Sequence, residues 1–252
     1  MKMPTETRLA PLPQLALADT ALIEHDYADS HSLADELAAA VANDLSDAIA
    51  TRGRALLGLA GGTTPRQFLL RLGNKRLDWA KVDVTLVDER WVAEDDPRSN
   101  TRLLQETLFQ GMARAARFTS LYTPLLQPEN AEDIIAARIR SLALPYDVIV
   151  LGMGADGHVA SLFPGGDNLA RALDLGSDRL VTAMRAPGAS EPRMSLTLST
   201  LLAADSLYLH IEGRTKREVL AQALAPGAHA AQWPVRGLMQ RRGEPGRIYW
   251  CP

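Results

Sequence analysis

The stretch Tyr146-Asp147-Val148-Ile149-Val150-Leu151-Gly152-Met153-Gly154-Ala155-Asp156-Gly157-His158 decides the fold. Tyr146 to Met153 is a short apolar run with β-branched residues and no helical period, so it reads as a buried strand, and the glycines that follow make a turn at its C-terminal end. A strand without alternation belongs to a sheet covered on both faces, which is the habit of parallel sheets. Ligands of such sheets bind in the crevice outside the carboxyl ends of the strands, where Asp156 and His158 stand.

The same order recurs upstream. Ala55 to Ala60 is a second apolar run, followed by Gly61-Gly62-Thr63-Thr64-Pro65 and then by Phe68, Leu69 and Leu72 at helical spacing. Val82 to Val87 forms a third strand and closes on Asp88-Glu89-Arg90-Trp91. Leu33, Leu37, Val41, Leu45 and Ile49 predict a helix over Ser30 to Arg52, stopped by Gly53. Further helices open at Ser99-Asn100, at Asn130 or Ala131, and over Thr215 to Ala223. Arg179 to Ala186, Met194 to Leu198, Leu207 to Ile211 and Ile248 to Cys251 are further strand candidates. This alternation predicts an α/β fold with a mainly parallel sheet, and with no linker or repeat it predicts one domain over residues 1–252.

Composition narrows the function. Hydrophobic residues make up 46% and charged residues 23% of the 252, which is globular and not disordered. The net charge of -3, with 27 basic residues scattered among 30 acidic ones, offers no cationic face for nucleic acid. The lone Cys251 excludes an internal disulfide and fits a reducing cytoplasm. The first thirty residues have acids and prolines in place of a continuous apolar stretch, so no signal peptide is expected. No apolar run approaches the roughly 18 residues of a membrane span. No metal and no cofactor are expected.

Several residues are candidates for chemistry. Asp156 and His158 are two apart in a turn, so both can face one crevice, where the carboxylate fixes the imidazole tautomer and the pair serves as a base that activates water. The alternative is an Asx-turn aspartate beside a structural histidine. His25, His31, His210 and His229 have no such setting and are expected to be structural. Gly61, Gly62 and Thr63 lie between strand and helix, where backbone N–H groups suit a phosphate, or else they only pack the helix on the strand. Asp88 and Arg90 stand at a strand end, against the alternative that Glu89 and Arg90 are solvent-facing and Asp88 caps a turn. Arg193 and Lys216 are cations near the same sheet edge, with surface salt bridges as their alternative.

Taken together these residues resemble the family of sugar-phosphate enzymes that contains 6-phosphogluconolactonases and glucosamine-6-phosphate deaminases. The resemblance rests on Leu59-Ala60-Gly61-Gly62-Thr63-Thr64-Pro65, Val87-Asp88-Glu89-Arg90-Trp91-Val92 with Ser99-Asn100, Gly152 to Gly165, Arg193-Met194-Ser195-Leu196-Thr197 and Gly213-Arg214-Thr215-Lys216, in that order. It spans roughly Ala55 to Leu220. It implies a Rossmann-like three-layer αβα sandwich and metal-independent hydrolysis of 6-phospho-D-glucono-1,5-lactone in the pentose phosphate pathway. It also implies His158 as general base, Asp156 as its support, and Arg90, Arg193 and Lys216 as cations for the phosphate or the developing oxyanion. Gly61, Gly62 and Thr63 would lend backbone donors, and Asp88 would hold substrate hydroxyls or Arg90. The only partner implied is the small-molecule substrate, with the chain a monomer or weak homodimer.

Departures separate the branches. The deaminase pattern resembles His-x-Ala-Phe-Asn-Glu-Pro, whereas here His158 is followed by Ala160-Ser161-Leu162-Phe163-Pro164, and a phenyl ring cannot transfer a proton. Ala60 stands where many lactonases have serine. Ser161 lacks the G-x-S-x-G elbow of serine hydrolases.

Overall fold

The computed structural model describes Leu15, residues 22–240 and residues 245–252. Most of the segment on which the signal-peptide expectation rests lies outside the described residues. The elements, in chain order, are β1 (Leu22–Asp26), α1 (Ser30–Arg52), β2 (Ala55–Leu59), α2 (Arg66–Gly73), β3 (Val82–Leu86), β4 (Asp88–Arg90), α3 (Asn100–Glu106), β5 (Arg117–Thr119) and α4 (Pro128–Arg140). They continue with β6 (Val148–Leu151), α5 (Leu169–Leu173), β7 (Val181–Met184), β8 (Arg193–Leu196), α6 (Leu198–Leu202), β9 (Ser206–Glu212), α7 (Arg214–Leu224), α8 (Pro234–Met239) and β10 (Gly246–Cys251).

Local chemistry sets the long helix. The Asp29 carboxylate caps α1 by accepting from the Ser32 N–H at 2.8 Å, and Gly53 ends it at φ 79°, a left-handed cap that favours glycine. Leu33, Leu37, Val41 and Leu45 are wholly buried on one face. Each contributes about 1.5–3 kcal/mol of hydrophobic stabilisation.

Seven strands form a sheet in the order β1-β10-β9-β6-β2-β3-β5, every pair parallel. The central strands β2, β3 and β6 are buried at every position, as layers on both faces require. The edge strands β1 and β5 have no buried position. From β2 the chain runs one way through β3 to β5, and later the other way through β6 and β9 to β10. The reversal lies between the neighbours β2 and β6, so a crevice opens outside their carboxyl ends, and both glycine turns flank it.

The structure corrects one expectation about the strands. The third apolar run does not end in a charged tail of the same strand. Val87 donates to Leu59 of the main sheet at 2.9 Å and accepts from Leu196 at 2.8 Å, and the chain then passes into a separate antiparallel sheet, β4-β8-β7. The candidates at Arg179–Ala186 and Met194–Leu198 belong to this small sheet. β1 and β5 were not expected at all: they are short, and charged or polar residues interrupt them, which leaves no apolar run to read.

Candidate active site

The turn after β6 is built around one side-chain pair. Its backbone closes through Gly157 N–H to the Gly154 carbonyl at 3.1 Å and Gly154 N–H to the His158 carbonyl at 2.9 Å. The His158 Nδ1 then lies 2.6 Å from Asp156 Oδ1. A Cβ on Gly154 would sit 2.2 Å from the His158 ring and 2.6 Å from Asp156 Oδ1, and a Cβ on Gly157, at φ 76°, would strike the Trp233 ring at 2.6 Å. Only glycine lets the pair form here. Burial raises the Asp156 carboxyl, but the hydrogen bond and charge of His158 and the backbone donors outweigh it, and the net effect lowers it below its usual range. The Phe163 ring lies against the imidazole, 4.3 Å between centroids.

The turn after β2 has a different support. Asn100, the first residue of α3, sits under Gly61, where a Cβ would come 1.9 Å from its Oδ1, and its Nδ2 donates to the Asp88 carbonyl at 2.9 Å. The Glu89 carboxylate in turn holds Asn100, accepting from the N–H groups of Arg90 (2.7 Å), Asn100 (2.7 Å) and Thr101 (2.8 Å) and from the Ser99 hydroxyl (3.1 Å). Glu89 is therefore not solvent-facing: it is fully buried, and that burial pushes its carboxyl up despite these donors. The Asp88 carboxylate accepts from the Ser161 hydroxyl at 2.6 Å, joining this wall to the β6 turn.

Both turns line one cleft of about 800 Å³ including its open mouth. Gly61, Gly62, Thr63, Asp88, Arg90, His158 and Lys216 all reach its wall. The cations divide. Lys216 donates to the Thr64 hydroxyl at 3.2 Å, and Arg90 donates to the Arg98 carbonyl at 2.5 Å. Among the described residues neither has a carboxylate within ion-pair distance, so both charges remain open to an anion. Burial lowers the Lys216 ammonium from its ordinary value, and the Glu212 carboxylate only partly offsets this. Arg193 departs from expectation. It is buried, paired with Glu191 at 2.8 Å, and its guanidinium lies 6.0 Å from the Phe163 centroid, off the cleft wall. Asp156 also stands off the wall, and it meets the imidazole at Nδ1.

A sequence profile described as glucosamine-6-phosphate isomerases/6-phosphogluconolactonase matches residues 28–250. The chain belongs to this family. Members similar to it include a 6-phosphogluconolactonase of Rhizobium meliloti, 48% identical over 228 residues that cover 90% of this chain and 98% of that protein. Another from Mesorhizobium japonicum is 45% identical over 90% of this chain and 94% of its own. The crystal structure of a 6-phosphogluconolactonase from Shewanella baltica superposes with a TM-score of 0.90 at 33% identity, covering 94% of this chain and all of that one.

In this family member the structure also brings in residues that sequence reasoning left out. Thr64, Asn100 and His210 line the cleft, and Glu89 anchors it from behind. Asn100 was visible as a helix start after Ser99, but its place beneath Gly61 joins segments that are distant in sequence. His210 had no local signal, since it is a single polar residue within an apolar strand. Among the described residues no three His, Cys, Asp or Glu side chains gather as a metal site. No helix among them is long and apolar enough to cross a membrane.

Proposed function

We propose that the chain hydrolyses 6-phospho-D-glucono-1,5-lactone to 6-phosphogluconate without a metal, with His158 as general base. The observation that carries this reading is the His158–Asp156 pair at 2.6 Å, its imidazole on the wall of a cleft that also holds Arg90 and Lys216, two cations with no carboxylate partner among the described residues. Asp156 accepts the Nδ1 hydrogen, which leaves Nε2 with its lone pair for a water molecule. That water adds to the lactone carbonyl carbon and its proton passes to Nε2. The tetrahedral intermediate then collapses, the bond to the ring oxygen breaks, and the imidazolium returns the proton to that oxygen as it becomes a hydroxyl. The new carboxylic acid ionises to solvent.

Lys216, which donates to the Thr64 hydroxyl, and the N–H groups of Gly61, Gly62 and Thr63, which precede Thr64 in the chain, would hold the phosphate, and Arg90 would meet the developing oxyanion. Arg193 would act only through Phe163, whose ring it backs. A δ-lactone opens slowly unaided, so a positioned base supplying about 10²- to 10⁴-fold, together with an anchored phosphate, is sufficient. Phe163 against the imidazole, where the deaminase pattern carries a carboxylic acid, favours hydrolysis over aminosugar ring opening.

Freshly prepared 6-phosphogluconolactone should disappear faster with the protein than in buffer, with no slowing by EDTA, while glucosamine 6-phosphate is left unchanged. His158→Ala should lower kcat by about 10²- to 10⁴-fold in a folded protein. A rate equal to buffer rejects the reading, inhibition by EDTA rejects metal independence, and full turnover by His158→Ala rejects the base.

A further inference from the structure

Between the two members of the proposed base stands a glycine. Gly157 separates Asp156 from His158 at φ 76°, and glycine has more backbone freedom than any other residue. The 2.6 Å contact between His158 Nδ1 and Asp156 Oδ1 nevertheless requires both neighbours of Gly157 to keep their places. The turn stands partly in solvent, with Asp156 exposed and His158 half-buried, but Gly157 itself is buried. Part of its cover comes from the start of α8. The six-membered ring of Trp233 lies over it, where a Cβ on Gly157 would meet Cε3 at 2.6 Å, Cζ3 at 3.3 Å and Cδ2 at 3.7 Å. Pro234 has no N–H, so Val235 carries the first free donor of α8, and it donates to the Gly157 carbonyl at 3.0 Å. The start of α8 is itself fixed. Val235 is wholly buried, and Arg236 donates to the carbonyls of Ala223 and Ala225, at the end of α7, at 3.0 and 2.9 Å.

We propose that Trp233 is a positioning residue for the hydrolysis: with the Val235 N–H it clamps Gly157, and through Gly157 it keeps the His158 imidazole on the Asp156 carboxylate. The inference rests on the lactonase reading above. Trp233 is not on the cleft wall, so it acts only through the turn it covers. The N–H of Gly157 is already committed inside that turn, to the Gly154 carbonyl, and the ring and the Val235 donor hold the remaining two sides, the bare Cα and the carbonyl. A flat ring suits a residue without a Cβ, since the two can approach closely. Left uncovered, Gly157 would sample other backbone angles and swing the imidazole, and a displacement of about 1 Å costs on the order of 100-fold in rate.

The test measures kcat and KM of the full chain and of Trp233→Ala and Trp233→Phe for 6-phosphogluconolactone, with denaturant unfolding of each. Trp233→Ala should lose about ten- to a hundredfold in kcat with KM nearly kept, because the phosphate grip at Lys216 is untouched. Trp233→Phe still lays a flat ring over Gly157 and should retain most of the wild-type kcat. A merely structural role would lower the unfolding midpoint of both variants and leave kcat of the folded protein as it was, which would overturn the proposal. A loss confined to KM overturns it too, as does an equal loss of kcat in both variants. Should Trp233→Ala fail to fold, Trp233→Leu fills the space with an apolar group that is not flat. It should show the same loss of kcat, and full turnover by that variant overturns the role. Wild-type protein that turns over no lactone rejects the hydrolase reading itself, a result distinct from active wild type whose alanine variant keeps full kcat.

Discussion

The turns after β2 and β6 stand side by side at the carboxyl ends of adjacent strands, and both are rich in glycine, but their glycines meet opposite surroundings. In the β6 turn, Gly154 and Gly157 are pressed against the protein's own side chains, the His158–Asp156 pair and Trp233. In the β2 turn, Gly61 is backed by Asn100 while Gly62, at φ 95°, faces open space. A glycine that touches protein serves to orient a reacting group, and a glycine facing empty cleft leaves backbone donors free for a ligand. Substitutions in the first turn should therefore act on kcat, and those in the second on KM and stability.

Gly154→Ala should break this division most sharply if it is wrong. The added methyl would collide with the imidazole, so kcat should drop by about 100-fold while KM changes little, since displacement of a reacting group by about 1 Å costs that much. Steady-state kinetics with retained kcat would show that the base needs no such fit. Glu89→Gln tests the support of the other turn. The amide would turn an NH₂ toward backbone donors that now meet a carboxylate, costing about 1.5–3 kcal/mol in denaturant unfolding. An unchanged unfolding midpoint would remove Glu89 as the anchor.

Lys216→Ala should raise KM for the phosphorylated lactone by about tenfold or more with kcat nearly kept. Unphosphorylated gluconolactone should show no such change. Because burial has lowered the Lys216 ammonium, its charged form is lost as pH rises through that lowered value. KM of the wild type should thus climb on the alkaline side earlier than an ordinary lysine would make it, and the alanine variant should lose that limb. The smallest effect is expected from Gly62→Ala, which meets no atom but must hold alanine at positive φ. It should cost about 1 kcal/mol in thermal unfolding, with kcat unaltered.

Much of the fold was legible because its signals are local. The period of Leu33, Leu37, Val41 and Leu45 and the stop at Gly53 define α1 at both ends, and the apolar runs before each glycine turn mark β2 and β6 without reference to distant residues. The candidate site was legible in part for the same reason: His158, Asp156, Lys216 and the glycines announce themselves at strand ends. The reach of the family match, residues 28–250, exceeds the stretch from Ala55 to Leu220 that the motifs mark, because the flanking helix and strands carry only ordinary amphipathic or apolar patterns.

The sequence by itself determined the elements, their alternation and the turns that flank the crevice, since helix period, apolar runs and glycine stops depend on residues a few positions apart. Only the tertiary structure decided which charges remain open. Arg90 and Lys216 keep theirs in the cleft, Arg193 spends its own on Glu191 behind Phe163, Glu89 is buried beneath the start of α3, and His210 comes to the cleft wall. The physical reason is that the state of a polar side chain is set by whatever packs against it in space, and those neighbours arrive from elements far away along the chain.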